Sequence, residues 1–105
     1  MAELSKVKIT VLKRTVNSDL AEEYLNIAGD FVACERFHDG QEIIVERYYE
    51  IPEDFCPWAW ADIRNDVKTI AVGGNMNYMK PQGTDITGCT DWFRPVIFKI
   101  ERIED

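Results

Sequence analysis

Between Lys6 and Arg14 the chain alternates, with Val7, Ile9 and Val11 on one side and Lys6, Lys8 and Thr10 on the other. A period of two predicts a half-buried strand. The next segment changes period. Ser18 is placed to cap a helix whose first turns carry Asp19, Glu22 and Glu23, favourable at the positive end of the helix dipole. Leu20, Ala21, Tyr24, Leu25 and Ala28 give that helix an apolar stripe, and Gly29 is its stop signal.

Asp39-Gly40 marks a turn, after which Gln41 to Tyr48 is rich in β-formers, with Ile43 and Val45 against Glu42 and Ile44. Pro52 closes that segment. Pro57 suits the first position of a second helix, where its missing N–H is no loss. Trp60, Ile63, Val67, Ile70 and Ala71 follow at helical spacing until Gly73-Gly74. Asn75 to Gly88, rich in Gly, Asn and Pro with two methionines, reads as a long loop. From Pro95 to Ile103, Val96, Phe98 and Ile100 alternate with Ile97, Lys99 and Glu101, a last half-buried strand. The order β-α-β-α-(β)-β predicts one α+β domain over residues 1–105, with a mixed or mainly antiparallel sheet and two helices on one face. The two long terminal strands are candidate neighbours.

Composition bounds this picture. At 105 residues there is length for one core, and a chain of this size buries roughly 65% of its unfolded surface. The net charge of −7 argues against nucleic acid and against an anionic membrane surface as partners. Seven of the twelve basic residues, Lys6, Lys8, Lys13, Arg14, Arg94, Lys99 and Arg102, lie near the chain ends. Paired terminal strands would gather them into a basic stripe, or simply into a solvated sheet face. No apolar run approaches the ~20 residues of a membrane span. The opening residues Met1 to Lys6 contain no signal-peptide apolar segment, so a cytoplasmic protein is expected. Three cysteines, an odd number, do not make a disulfide framework.

The chemistry concentrates around the second helix start. Cys56 occupies its N-cap position, where a sulfur faces the free N–H groups of Trp58 and Ala59 and the positive end of the dipole. Such surroundings favour the thiolate, the nucleophilic and metal-ligating form, and make Cys56 the candidate catalytic residue. Cys34 and Cys89 fall on loops or strand ends. Together with Cys56 they are candidate ligands for zinc or another thiophilic metal, with His38 or Asp91 as a fourth ligand, although no paired C-x₂₋₄-C knuckle is present. Trp58 and Trp60 project about 200° apart on a helix, so Trp60 joins the apolar stripe and Trp58 the polar side with Asp62. Asp62 and Asp66, four apart, suit acid–base work if buried together and a solvated edge otherwise. His38, the only histidine, has no nucleophile beside it in sequence. Gly73-Gly74 matches neither a Walker loop nor a dinucleotide fingerprint.

Cys34-Glu35-Arg36-Phe37, Gly40-Gln41, Phe55-Cys56-Pro57-Trp58-Ala59-Trp60-Ala61-Asp62-Ile63, Gly73-Gly74, Cys89-Thr90-Asp91 and Arg94-Pro95-Val96 with Phe98 form a pattern. It resembles that of a family of short, uncharacterised bacterial and archaeal proteins of about this length, from Val7 to Ile103. That family commonly follows its third cysteine with Pro-Asp-Gly or Thr-Asp-Gly, whereas Trp92 and Phe93 follow Asp91 here. The resemblance implies a prokaryotic protein whose three cysteines belong to one pattern; it implies no substrate, cofactor or catalytic residue.

The sequence supports three readings. The first is a ligand-binding or accessory domain, with homo-oligomers allowed, whose small-molecule pocket is lined by Phe55, Trp58, Asp62, Trp92 and the Asn75–Gly88 loop. The second is a metal protein using Cys34, Cys56 and Cys89. The third is a thiol enzyme with Cys56 as nucleophile. The first requires least of the sequence.

Overall fold

The computed structural model describes residues 4–26 and 31–104. Its elements are β1 (Val7–Arg14), α1 (Ser18–Tyr24), β2 (Glu42–Val45), α2 (Pro57–Ala71), β3 (Thr84–Gly88) and β4 (Val96–Arg102). The strands form one antiparallel sheet in the order β2-β1-β4-β3. The two terminal strands are therefore neighbours, as their length allowed, and they form the centre of the sheet. Opposed residues share a face: Ile9 meets Ile43 and Ile100, and Val11 meets Phe98.

One face of the sheet is apolar because Val7, Ile9, Val11, Val45, Val96, Phe98 and Ile100 all point to it, each buried. Helix α2 covers that face, with Ala59, Trp60, Ile63, Val67, Ile70 and Ala71 buried at helical spacing and packing on β1, β4 and β3. Phe37 and Phe55 enter the core from loops, stacking edge-on at 5.1 Å and meeting Phe98. Each such side chain stabilises by about 1.5–3 kcal/mol on burial.

The opposite face carries the terminal lysines, but they do not form a basic stripe. Lys6 pairs with Glu46, Lys8 lies between Glu42 and Glu101, and Lys99 also reaches Glu101. Arg14, Arg94 and Arg102 likewise stand beside Asp39, Asp91 and Glu104. The result is a mixed-charge surface whose individual pairs contribute little.

Three expectations change. Residues Thr84–Gly88 of the expected loop form β3, on the edge of the sheet. Helix α1 starts at Ser18 with Asn17 as its N-cap, and Asn17 donates its side-chain amide to Trp92 O instead of capping. Only Ala21 of α1 is buried; Leu20 and Tyr24 are exposed, and α1 packs on none of the four strands. The chain leaving β1 is held by Asn17 N to Phe93 O (2.8 Å), which commits α1 to the 92–93 turn instead of the sheet face. The helix ends at Tyr24, with Leu25 already extended, short of the expected stop; Ala28 and Gly29 themselves lie outside the described residues.

A bulge in β1 turns one arginine to the helix side. Val11 pairs with Phe98 but Lys13 with Ile97, so Leu12 is the extra residue and the pleat shifts by one. Plain alternation would put Arg14 on the lysine face. The bulge instead sets it opposite buried Val96, on the α2 side of the sheet.

Candidate functional site

The three cysteines, distant in sequence, line one cavity of about 230 Å³ at the N-terminal end of α2. Each reaches it by a different route, and each is free and half-buried. Cys34 is carried by the loop before β2. Arg14, turned inward by the bulge, donates from Nη1 to the carbonyls of Cys34 (2.8 Å) and Phe37 (3.1 Å), and from Nε to Asp39 (3.0 Å). One guanidinium thus satisfies carbonyls of a loop that has no ladder of its own.

Cys56 is the N-cap residue of α2, with extended backbone (φ −64°, ψ 120°), and Pro57 takes the first helical position. Its carbonyl accepts from Trp60 N at 2.9 Å. Its sulfur makes no capping hydrogen bond, contrary to the expected thiol–helix contact, and instead borders the cavity and the core. The turn before it holds Asp54 at φ +60°. Arg36 donates from Nη2 to the carbonyls of Asp54 and Phe55, fixing that turn.

Cys89 arrives from the far end of the helix. The loop after Gly74 starts about 20 Å from Cys56 by helix rise, and β3 brings the chain back. At Gly88 the neighbouring backbone leaves no room for a side chain: a Cβ there would meet Val96 O at 2.7 Å. Immediately afterwards Cys89 N donates to Val96 O (3.1 Å), and Val96 N donates to Cys89 Sγ (3.4 Å).

The cysteine turn is locked to the helix by a polar chain of fixed direction. Trp58 Nε1 donates to Thr90 Oγ1 (2.8 Å), the Thr90 hydroxyl donates to Asp62 Oδ2 (2.9 Å), and Thr90 N donates to the same oxygen (2.7 Å). Trp58 and Asp62 therefore hold the site together. Trp58 is 62% exposed and is not covered by the Asn75–Gly88 loop. That loop sits at the other end of α2, where Gly83 N meets Asn75 Oδ1 and Arg102 donates from Nε to Ile70 O (2.8 Å) and from Nη2 to Gly74 O.

The remaining expected pocket residues separate. Phe55 is a core residue, 4% exposed and stacked edge-on against Trp60. Trp92 lines an adjoining groove with Ile86, Pro95 and Ile97, which shares Cys89 and Val96 with the cysteine cavity. His38 is exposed in the turn before β2 and does not line the cysteine cavity, whereas Asp91 does. Asp91 Oδ1 accepts from the backbone N–H of Phe93 and Arg94, each at 3.1 Å. Its other oxygen lies 3.5 Å from Arg94 Nε without an aligned hydrogen bond, so the pair is an electrostatic contact only.

Two cavity residues were not among the expected site residues: Arg36 and Arg94. The Arg94 guanidinium also lies over the Phe31 ring, 5.1 Å from its centroid. Against Asp91 alone, they leave the cavity positive in a chain of net charge −7. Among the described residues no three His, Cys, Asp or Glu side chains are grouped so as to hold a metal ion.

A second polar cluster lies further along α2. Asp66 shares its face with Asp62 but meets Thr87 and Asp85 of β3. Asp85 is 1% exposed, points to the helix side of the sheet opposite Ile100, and accepts from Tyr78 OH at 3.0 Å. Partial burial and the neighbouring Asp85 raise the Asp66 pKa above its ordinary 3.8, against the hydrogen bond from Thr87 that lowers it. The hydrogen bond to Asp85 likewise raises the Tyr78 hydroxyl pKa. The Asp62–Asp66 face is therefore not a solvated edge: each carboxylate has its own partner on the β3 side.

Among the described residues, no helix is long and apolar enough to cross a membrane. No family model, no curated protein and no solved structure matches this chain.

Proposed function

We propose that the chain is a small ligand-binding domain whose ligand enters the cysteine cavity and carries an anionic group. The convergence of Cys34, Cys56 and Cys89 on one cavity that also holds Arg36 and Arg94 supports this reading. Guanidinium groups favour carboxylate and phosphate oxygens, and thiols offer a soft, weakly polar wall beside them. Trp58, Thr90 and Asp62 act as the frame that holds Cys89 against the helix start. A cytoplasmic setting suits three free thiols. The likeness of the cysteine pattern to that of the short bacterial and archaeal proteins fits the three positions acting as a set.

A pair of alkylating agents tests it. Iodoacetate and iodoacetamide are near-isosteric and differ in charge. Their rate ratio at the cavity thiols, normalised to free cysteine, is expected to favour iodoacetate about threefold or more at low salt. Arg36→Gln with Arg94→Gln should abolish the preference. A ratio equal to that of free cysteine would remove the anionic-ligand reading.

The second reading, zinc or another thiophilic ion on the three cysteines, is favoured by the same convergence. Their present grouping does not form a metal site, so the sulfurs would have to turn toward one another. Elemental analysis of anaerobically purified protein, beside Cys34→Ser, Cys56→Ser and Cys89→Ser, decides it: one metal per chain, lost in each variant, would replace the first reading. The thiol-enzyme reading has no imidazole at the cavity among the described residues.

A further inference from the structure

The solvent side of α2, away from the cysteines, carries a second cavity. It has a volume of about 170 Å³ and is lined by Tyr48, Tyr49, Arg64, Asn65 and Lys68. Arg64 and Lys68 are four apart on the helix, where like charges repel. Most other cations of this acidic chain stand within 4 Å of a carboxylate, among them Lys6, Lys8, Arg14, Arg47, Lys99 and Arg102. Arg64 and Lys68 have no such partner among the described residues, in a chain with 19 acidic residues in its sequence. The repulsion is therefore left standing at the place where two tyrosines face it.

Those tyrosines supply the rest of a recognition surface. Their rings meet edge-on at 5.3 Å and 80°, so one can present its face where the other presents its edge. Tyr48 packs on the core and is half-buried, which fixes the wall in advance; Tyr49 is 58% exposed. Rings of this kind stack on planar ligands, while a guanidinium and an ammonium hold an oxyanion. Asn65 adds an amide able to donate or accept. The cavity is smaller than the ~300–1,000 Å³ of sites for drug-sized molecules, so a single ring is the appropriate scale.

We infer that this cleft is a binding site for a small planar anion, a single aromatic ring bearing a phosphate. The ring lies against Tyr48 and Tyr49, and the phosphate lies between Arg64 and Lys68. The site shares no residue with the cysteine cavity and does not depend on the function proposed for it.

The test is an amide and side-chain NMR titration of the intact chain with phenyl phosphate, beside inorganic phosphate and phenol as its two halves. Phenyl phosphate should give saturable shifts centred on Tyr48, Tyr49, Asn65 and Lys68, at least about tenfold tighter than either half. Arg64→Gln with Lys68→Gln, both at exposed positions, should weaken binding about tenfold or more while the remaining spectrum stays unchanged. No saturable shift by about 10 mM would overturn the inference. So would equal binding of inorganic phosphate, unaltered binding by the double variant, or shifts centred on Arg36 and Arg94.

Discussion

Asp62 takes both the backbone N–H and the hydroxyl of Thr90 on one oxygen, at 2.7 and 2.9 Å, across 28 positions of sequence. A carboxylate on the first turns of α2 thus holds the turn that carries Cys89, and does so beside Cys56.

Asp62→Ala should therefore loosen the site before it unfolds the protein. Hydrogen bonds to a charged acceptor contribute about 1.5–3 kcal/mol, less at an exposed position, so a loss of about 1 kcal/mol is expected in urea unfolding. Alkylation of Cys89 should accelerate more than that of Cys34, because only Cys89 is held by this contact. Equal acceleration of all three thiols would mean that global unfolding, not the turn, had been perturbed.

Gly88→Ala places a methyl 2.7 Å from Val96 O, a backbone atom that β4 cannot move without breaking its ladder to β1. Destabilisation of about 1–3 kcal/mol is expected from overpacking. Stability within a few tenths of the parent would show that β3 and β4 separate here more freely than their pairing implies.

Asp66 binds its proton more tightly in the folded chain, since burial and Asp85 raise its pKa. Its contribution is therefore most favourable below the unfolded value of 3.8 and declines as pH rises through the raised folded value, remaining a penalty at neutrality. Asp66→Asn keeps an acceptor for Thr87 without the charge. It should raise Tm at pH 7 and leave Tm unchanged below the unfolded pKa. A lower Tm at pH 7 would contradict this balance of repulsion over hydrogen bonding.

Arg14→Lys retains charge but not the fork that reaches the carbonyls of Cys34 and Phe37. Loss of about 1–2 kcal/mol and faster alkylation of Cys34 are expected together. Unchanged Cys34 reactivity would show that the loop is held by the Phe37 ring in the core and not by Arg14.

Much of the fold was legible from periodicity. Val7–Ile9–Val11 and Val96–Phe98–Ile100 alternate cleanly because one face of each strand is buried, and α2 carries its stripe from Trp60 to Ala71. β3 broke the rule: Asp85 points inward and Ile86 outward, so Thr84–Gly88 has no apolar alternation to read. The apolar residues of α1 likewise suggested packing that the Asn17–Phe93 contact redirects. The individual cysteines were visible as candidates, but their meeting depends on strand order and on β3 running back along α2. Arg14 was hidden for a different reason, since a bulge at Leu12 reverses the face that alternation assigns to it. Arg36 and Arg94 stood in the motif pattern without a chemical reason to be singled out; only the folded cavity gives them a role.

Three thiols share one cavity of about 230 Å³. The most direct test of that sharing is native-state labelling with N-ethylmaleimide, followed by intact-mass and peptide mass spectrometry. A cavity of that size accepts one maleimide and then shields the other sulfurs, so the folded chain should stall at a single adduct while the denatured chain takes three. Three adducts accumulating in the folded chain, each at a rate indifferent to Cys→Ser substitution of the other two, would contradict the account.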